Sequence, residues 1–347
     1  MYIKKILLAI VLLGLVVGSL FAYMVYSTFF TPNTNFNNKE AYVYIGSEAS
    51  FDEVLENLEP LLTDLDSFKS AAERKGYDQN IRGGKYKISK GMNNNEIINT
   101  LRVNNIPVKV SFNNQERVEN LAGRIADQIE ADSLSLLAAF KDIDFLKSNN
   151  FNADNMLSLY IPNSYEFFWN TSAEEFRDRM LKEYKRFWNE ERVAKAKKQG
   201  LSPNEVIALA SIVHKETAKV DERPKVAGVY LNRLKKGMLL QADPTVIYAI
   251  KKETGNFDTV IKRVLYKDLE LDSPYNTYKY GGLPPGPITM PDISAVDAVL
   301  NPEKHNYYYF VANVENFGYH MFAENIVQHN RNKAQYIRWI NAQKINR

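Results

Sequence analysis

The stretch "SPNEVIALASIVHKET", residues 202–217, decides how the rest of the chain is read. Ser202 with Glu205 three residues on is a capping box, and Pro203 takes the first helical position, so a helix starts here. In that register Leu209, Ile212, Val213 and Glu216 fall at relative positions 0, 3, 4 and 7. At about 100° per residue, Glu216 lies within about 20° of Leu209 and points with the apolar stripe, while His214 and Lys215 turn away. A Glu partly withdrawn from water has its charged form disfavoured, and its pKa rises from about 4.3 towards about 6, as a general acid near neutral pH needs. On helix position alone a second reading stands beside this one. A Glu near a helix end can reach solvent and pair with Lys219 or Arg223.

The neighbouring segments carry polar and aromatic groups in the combination a sugar chain needs. "QADPTVIY", residues 241–248, sets Gln241, Asp243 and Thr245 ahead of apolar Val246 and Ile247. "SPYNTYKYGGLPPGPITMP", residues 273–291, packs Tyr275, Tyr278 and Tyr280, the Asn276–Thr277 pair and a Gly/Pro-rich loop into a short span. Aromatic faces suit sugar rings, and amides and hydroxyls suit their hydroxyl and N-acetyl groups. The same loop also reads as a rigid turn with core tyrosines, and Asp243 as a cap for the helix after Pro244.

Other chemistries find less support. The four histidines, at 214, 305, 320 and 329, form no HExxH pair, so no zinc protease signature is present, and no metal or cofactor is expected. His320 and His329 read as structural on spacing alone. There is no P-loop, GxGxxG or GxSxG motif. The absence of cysteine removes disulfides and thiol catalysis. Basic and acidic residues number 44 and 41, a net charge of +3, and without a concentrated basic patch no nucleic-acid partner is expected. The 347 residues, 45% hydrophobic, suffice for more than one domain.

The N-terminus supplies a location. Lys4 and Lys5 precede an uncharged stretch from Ile6 to Tyr26, about the length a helix needs to cross a bilayer. A cleaved signal peptide also begins this way, but the apolar core is long and Ser19-Leu20-Phe21-Ala22 is a poor cleavage site, so an uncleaved anchor is expected. The lysines hold residues 1–5 in the cytoplasm, and everything after residue 27 then lies outside, facing the wall in a bacterium. Gly14 and Gly18 form a GxxxG pair, which is also ordinary spanning-helix composition.

Along the chain, residues 27–39 read as a juxtamembrane linker. Residues 40–105 read as a small α+β module, with strands at 41–45 and 83–89 and helices at 50–62, 66–76 and 93–104. Residues 106–347 read as a larger mixed α+β domain. It opens with a strand at 106–113 and helices at 117–132 and 133–149, continues with a long helix at 172–200, and closes with strands at 305–313 and 318–324 and a helix at 327–345. The expected class is α+β behind a single transmembrane helix.

Taken together, "LASIVHKET", "ERPKVAGVYLNRLKKGMLLQADPTVIYAI", "YNTYKYGGLPPGPI", "YYYFVAN" and "YHMFAENIVQHN" resemble the endolytic murein lytic transglycosylases of the MltG (YceG-like) family. The likeness is colinear from about residue 40 to the C-terminus and strengthens after residue 200. It implies a LysM-like module at 40–105 and a catalytic domain at 106–347. It places the essential acid on Glu216, within "HKET" where many members read "EKET", so that His214 stands in for a dispensable glutamate. Gln241, Asp243 and Thr245 fall on the "QTDPT" element, Tyr275, Asn276, Thr277, Tyr278 and Gly286 on "YNTY...GLPPG", and His320 and His329 on the C-terminal motif. "LYIPNSYEF" departs from the family's "PDTY" at Asn163 and Ser164, leaving Tyr165 as a cleft wall.

The resemblance implies cleavage of the β-1,4 bond between N-acetylmuramic acid and N-acetylglucosamine within peptidoglycan glycan strands, leaving 1,6-anhydro ends and limiting strand length. It also implies a seat in the cytoplasmic (inner) membrane and coupling to peptidoglycan synthases. A muramidase using Glu216 with Asp243, and a wall-binding scaffold without activity, are the competing expectations.

Overall fold

The structure, a computed structural model, describes residues 2–342. The chain divides into two units. The first holds residues 1–110 together with 127–131 and 165–172, and the second holds 111–126, 132–164 and 173–347. The boundary therefore differs from the expected break at residue 105, because two short segments from later in the chain join the first unit. Glu130 explains one: its carboxylate accepts from the Ser47 amide at 2.7 Å and the Ser47 hydroxyl at 2.6 Å. Trp169 and Asn170 explain the other, through an edge contact with the Tyr44 ring and a 3.0 Å bond between the Asn105 and Asn170 side chains.

The first unit opens with α1 (Tyr2–Phe30), 29 residues whose apolar side chains are exposed along its length. At 1.5 Å per residue it spans roughly 43 Å, long enough to cross a bilayer. It runs four residues beyond Tyr26. Next come β1 (Glu40–Ile45), α2 (Phe51–Leu58), α3 (Leu65–Arg74), β2 (Gly84–Ser89), α4 (Asn94–Val103) and β3 (Pro107–Phe112). β1 and β2 pair antiparallel, with Glu40 opposite Ser89 and Ile45 opposite Gly84. Their inward Val43, Ile45 and Ile88 meet Leu58, Phe68 and Ile97 in one core. Capping boxes at Ser50/Glu53 and Asn93/Glu96 set where α2 and α4 begin.

Residues 31–39 are not a free spacer, contrary to their composition. Asn33 is buried, its side-chain amide donating to Asp64 O at 2.8 Å and Asn94 Oδ1 at 2.7 Å while its Oδ1 accepts from Asp64 N at 2.7 Å. Asn94 in turn donates to Thr28 O in the last turn of α1 at 2.8 Å. Polar side chains that would solvate a linker are spent on backbone groups, which ties the apolar helix to the module.

In the second unit, α5 (Val118–Ala126), α6 (Ser133–Phe140), α7 (Ile143–Ser148), β4 (Asn163–Phe168), α8 (Ala173–Phe187) and α9 (Glu190–Gln199) lead to α10 (Pro203–Glu216). β3 and β4 form a two-stranded sheet, and the division between the units falls within both strands. Two expected helices are each broken in two. Asp142 caps α7 by accepting from the Asp144 and Phe145 amides, and Asn189 caps α9 by accepting from Arg192 N. A side chain that captures the backbone N–H groups two or three residues ahead starts a new helix, whatever the periodicity around it.

α11 (Arg223–Lys235), α12 (Asp243–Thr254), α13 (Ile293–Leu300), the antiparallel pair β5 (Tyr309–Ala312) and β6 (His320–Ala323), and α14 (Ile326–Ala342) complete the unit. The end of the helix expected to reach 345 lies outside the described residues. α10 packs against α9, α11, α12 and α13, and every residue from Val206 to Val213 is buried. It is thus a central helix, buried on all sides along that run, where one apolar stripe was expected. Its capping box and its proline at the first position sit as the sequence indicates.

Candidate active site

Glu216 is the last residue of the buried helix α10, so a core element delivers a carboxylate to the edge of the core. Its Oε1 accepts a hydrogen bond from the Tyr230 hydroxyl at 2.6 Å. Neither expected cation partner is taken. Arg223 donates to Asp292 Oδ2 at 2.9 Å and to Ser294 Oγ at 2.5 Å, and the Lys219 ammonium lies 5.0 Å over the Tyr319 ring. The residue keeps some exposure, but its carboxyl end lies beside fully buried Tyr230 and buried Arg233.

Burial pushes the Glu216 pKa up to about 7, and the negative charge of Asp243 adds to the rise. The Tyr230 hydrogen bond and the fields of His320 and Arg233 oppose it. Desolvation wins because no cation bonds the carboxylate directly. Near neutral pH, Glu216 is therefore split between a form that can give a proton and a form that can take one.

The other members come from four elements. Tyr230 and Arg233 stand three residues apart on α11, hence on one face. Arg233 is 7% exposed and spends its guanidinium on Tyr308 O at 2.6 Å and Leu240 O at 2.7 Å, with the Tyr309 ring 5.3 Å away. Asp243 opens α12 and accepts from the Tyr278 hydroxyl at 2.6 Å. It does not cap that helix: the cap position is Ala242, with no side-chain bond. His320, on β6, places both its amide N at 2.7 Å and its Nδ1 at 2.8 Å on Glu222. Burial would raise the Glu222 pKa, but these bonds outweigh it and hold the carboxyl below its usual range.

Gln241 precedes this corner with φ 50, the left-handed region, and its N–H donates to Thr277 O at 3.0 Å. A non-glycine residue held there is strained, and the surrounding bonds maintain it. Its side chain is exposed.

Several residues expected to touch a glycan are buried and support the corner from behind. Thr245 is 0% exposed and bonds Ala242 O at 2.7 Å and Thr277 Oγ1 at 2.8 Å. Thr277 also accepts from Ala242 N at 3.0 Å. Asn276 donates to Leu269 O and Leu271 O and accepts from Tyr278 N. Tyr275 is buried against Tyr248, with its hydroxyl 3.3 Å from Asp154 Oδ1. A Cβ on Gly286 would sit 1.9 Å from Asp154 O, so that glycine is required by close backbone approach. These five shape the loop; their polar groups are already used or, for Gly286, absent. Tyr165 lies in the segment 165–172 that joins the first unit.

Tyr230, Arg233, Glu222 and Tyr309 escaped the sequence reading. The signal for the first two was available, since "YLNRL" puts a tyrosine and an arginine on one face of a helix. Ser211, three residues before His214, is excluded as a nucleophile because its hydroxyl donates to Ala208 O and accepts from Ile288 N inside the core. His214 itself sits on Asp292 at 3.2 Å and beside Arg223 at 3.3 Å, away from the acid's hydrogen bond.

A carboxyl withdrawn from water, with hydroxyls, a buried guanidinium and a second carboxylate around it on an α+β scaffold, is the arrangement a general acid needs. The YceG-like family model matches residues 43–335, and the chain belongs to that family. An endolytic murein transglycosylase of Bacillus subtilis is 33% identical over 274 residues, covering 74% of this chain and 73% of that protein. One of Streptococcus pneumoniae is 38% identical over 141 residues, but the aligned stretch spans only 25% of that protein. The crystal structure of a YceG-like protein from Listeria monocytogenes superposes with a TM-score of 0.56 at 30% identity, covering 85% of this chain and 99% of that one.

Proposed function

We propose that this chain is a membrane-anchored endolytic murein transglycosylase with Glu216 as its sole acid and base. The observation that carries it is the Glu216 carboxyl, raised to about 7 at the end of a core helix with no cation bonded to it. Protonated Glu216 donates to the glycosidic oxygen between N-acetylmuramic acid and N-acetylglucosamine as the bond to the muramic C1 breaks. The resulting carboxylate removes the proton of the muramic C6 hydroxyl, whose oxygen closes onto C1 as a 1,6-anhydro ring. One proton leaves Glu216 and one returns, and no water is consumed. Tyr230, Arg233 and His320 stabilise the carboxylate between the two transfers.

Asp243 with Tyr278, and the side chain of Gln241, orient the sugar at the opening of α12. The β1–α2–α3–β2 order of the first unit suits a LysM-like module. α1 seats the protein in the cytoplasmic membrane with Lys4 and Lys5 inside, so that newly made strands are met first and a peptidoglycan synthase is the natural partner.

The test is the mass of the products when the detergent-solubilised full chain digests purified glycan strands. Lytic cleavage leaves fragments whose summed mass equals that of the parent strand. A muramidase using Asp243 as its second carboxylate adds one water per cut, and a scaffold leaves the strands intact; either result overturns the proposal.

A further inference from the structure

One cavity of the second unit has a lining that does not include Glu216. It is a groove of about 650 Å³, floored by Val118, Leu146, Phe151, Leu157 and Phe257. A second hollow of about 320 Å³ shares Glu116, Tyr248 and Phe257 with it, so the two adjoin. The smaller hollow is also lined by Lys215 and Pro244, the chain neighbours of Glu216 and Asp243. Tyr248, on the shared wall, lies five residues along α12 from Asp243, which is about 7–8 Å along the helix axis. A depression of this size with an apolar floor and polar rim is of the kind that takes a small ligand.

The rim carries more positive charge than its own acids use. Glu119 holds Lys141 at 2.6 Å, Asp154 holds Lys252 at 2.7 Å, and Glu116 bridges Lys215 and Lys251 at 2.7 and 2.9 Å. Arg117 and Lys147 remain without an ion pair among the described residues, against one unpaired acid, Asp258, in the smaller hollow; Arg117 Nε donates to Asn120 Oδ1 at 3.2 Å. The Arg117 guanidinium lies 4.5 Å over the Phe257 ring, which leaves a cation planted on the apolar floor.

We propose that this groove binds the peptide stem carried by the muramic acid residue. This deepens the function proposed above and rests on it for the identity of the strand. A stem is short, rich in alanyl methyls and anionic through its free carboxylates, which matches an apolar floor beside two cations that have no ion-pair partner. It is also within reach. Five residues extend to about 17 Å at most, more than the separation along α12 between Asp243 and the shared wall. The site therefore reads two parts of one substrate, sugar at the acid and stem in the groove, and the chain favours stem-bearing strands over stripped ones.

The test uses the full chain in detergent with two charge reversals, Arg117→Glu and Lys147→Glu, both outside the acid's surroundings, and with Phe257→Ser as an uncharged check on the floor. Binding of a soluble muramyl pentapeptide is measured by calorimetry, and cleavage is compared on stem-bearing strands and on strands stripped by an amidase. The expected result is a fivefold or greater loss of peptide affinity in the double reversal, a loss of preference for stem-bearing strands, and an unchanged rate on stripped ones. Equal peptide binding by native and reversed chains overturns the groove, as does equal binding of a peptide whose carboxylates are amidated. If the native chain cuts neither substrate, the transglycosylase reading fails, while the calorimetry still decides the groove.

Discussion

The Tyr230 hydroxyl stands 2.6 Å from Glu216 Oε1, fourteen residues away in sequence and one helix away in space. A phenol that donates to a carboxylate favours the charged form, so Tyr230 holds down a pKa that burial drives up. Tyr230→Phe removes that brake at nearly constant volume. The alkaline limb of kcat/KM against pH, which reports loss of the acid's proton, is expected to move upward by about one pH unit. A limb that stays in place, or moves down, would show that the bond does not govern the acid.

Asp243→Asn acts in the opposite sense. The Asp243 charge helps to raise Glu216, so its removal shifts the same limb to lower pH. The change also weakens the anchor of Tyr278, and KM is expected to rise several-fold. A pH–rate series on glycan strands checks both effects.

The raised acid leaves a mark on stability. The native state binds the Glu216 proton more tightly than the unfolded chain, between the ordinary glutamate value of 4.5 and about 7. The favourable contribution is complete below the lower value and is lost as pH climbs through the upper one. Glu216→Gln cannot ionise. Its melting temperature relative to the parent is therefore expected to rise between pH 4.5 and 8, by on the order of 2 kcal/mol in free energy once partial exposure is discounted. Thermal melts across that range test it, and a parallel pair of curves would contradict it.

Thr277→Val probes the support behind the corner. It leaves Ala242 N without its acceptor and removes the partner of the Thr245 hydroxyl inside the core, at a cost of about 1–3 kcal/mol. Denaturant unfolding should show that loss. The alkaline limb of the pH–rate profile should stay where it is, because neither threonine bears on Glu216.

How much of this was legible depended on whether the cause was local. The start of α10 could be read outright, because Ser202, Pro203 and Glu205 act within one turn, and Glu216 followed from that register. The breaks at Asp142 and Asn189 were missed although their capping signals are equally local, since amphipathic periodicity on either side outweighed a single Asp or Asn. α13 was also missed, because its "ISAVDAVL" is apolar but for Ser294 and Asp297 and shows no stripe.

The inward turn of Thr245, Asn276 and Thr277 was not legible. Their polar composition suits a glycan surface and a buried hydrogen-bonded corner equally, and only the pairing of positions 32 residues apart decides between them. The docked residues 31–39 failed for the same reason, with Asn33 bonding to Asp64 and Asn94 across the module. Tyr230 and Arg233 belong to a third kind, visible as one helical face but without meaning until α10 was packed beside it.

The most direct measurement is the appearance of anhydro-muramyl ends when purified glycan strands are incubated with the full chain carrying Glu216→Gln. The amide keeps the shape and can accept from Tyr230, but it has no proton to give, so the account predicts a folded protein whose production of such ends falls at least a hundredfold. Ends released at near the parental rate would mean that another group supplies the proton, and the role assigned to Glu216 would be wrong.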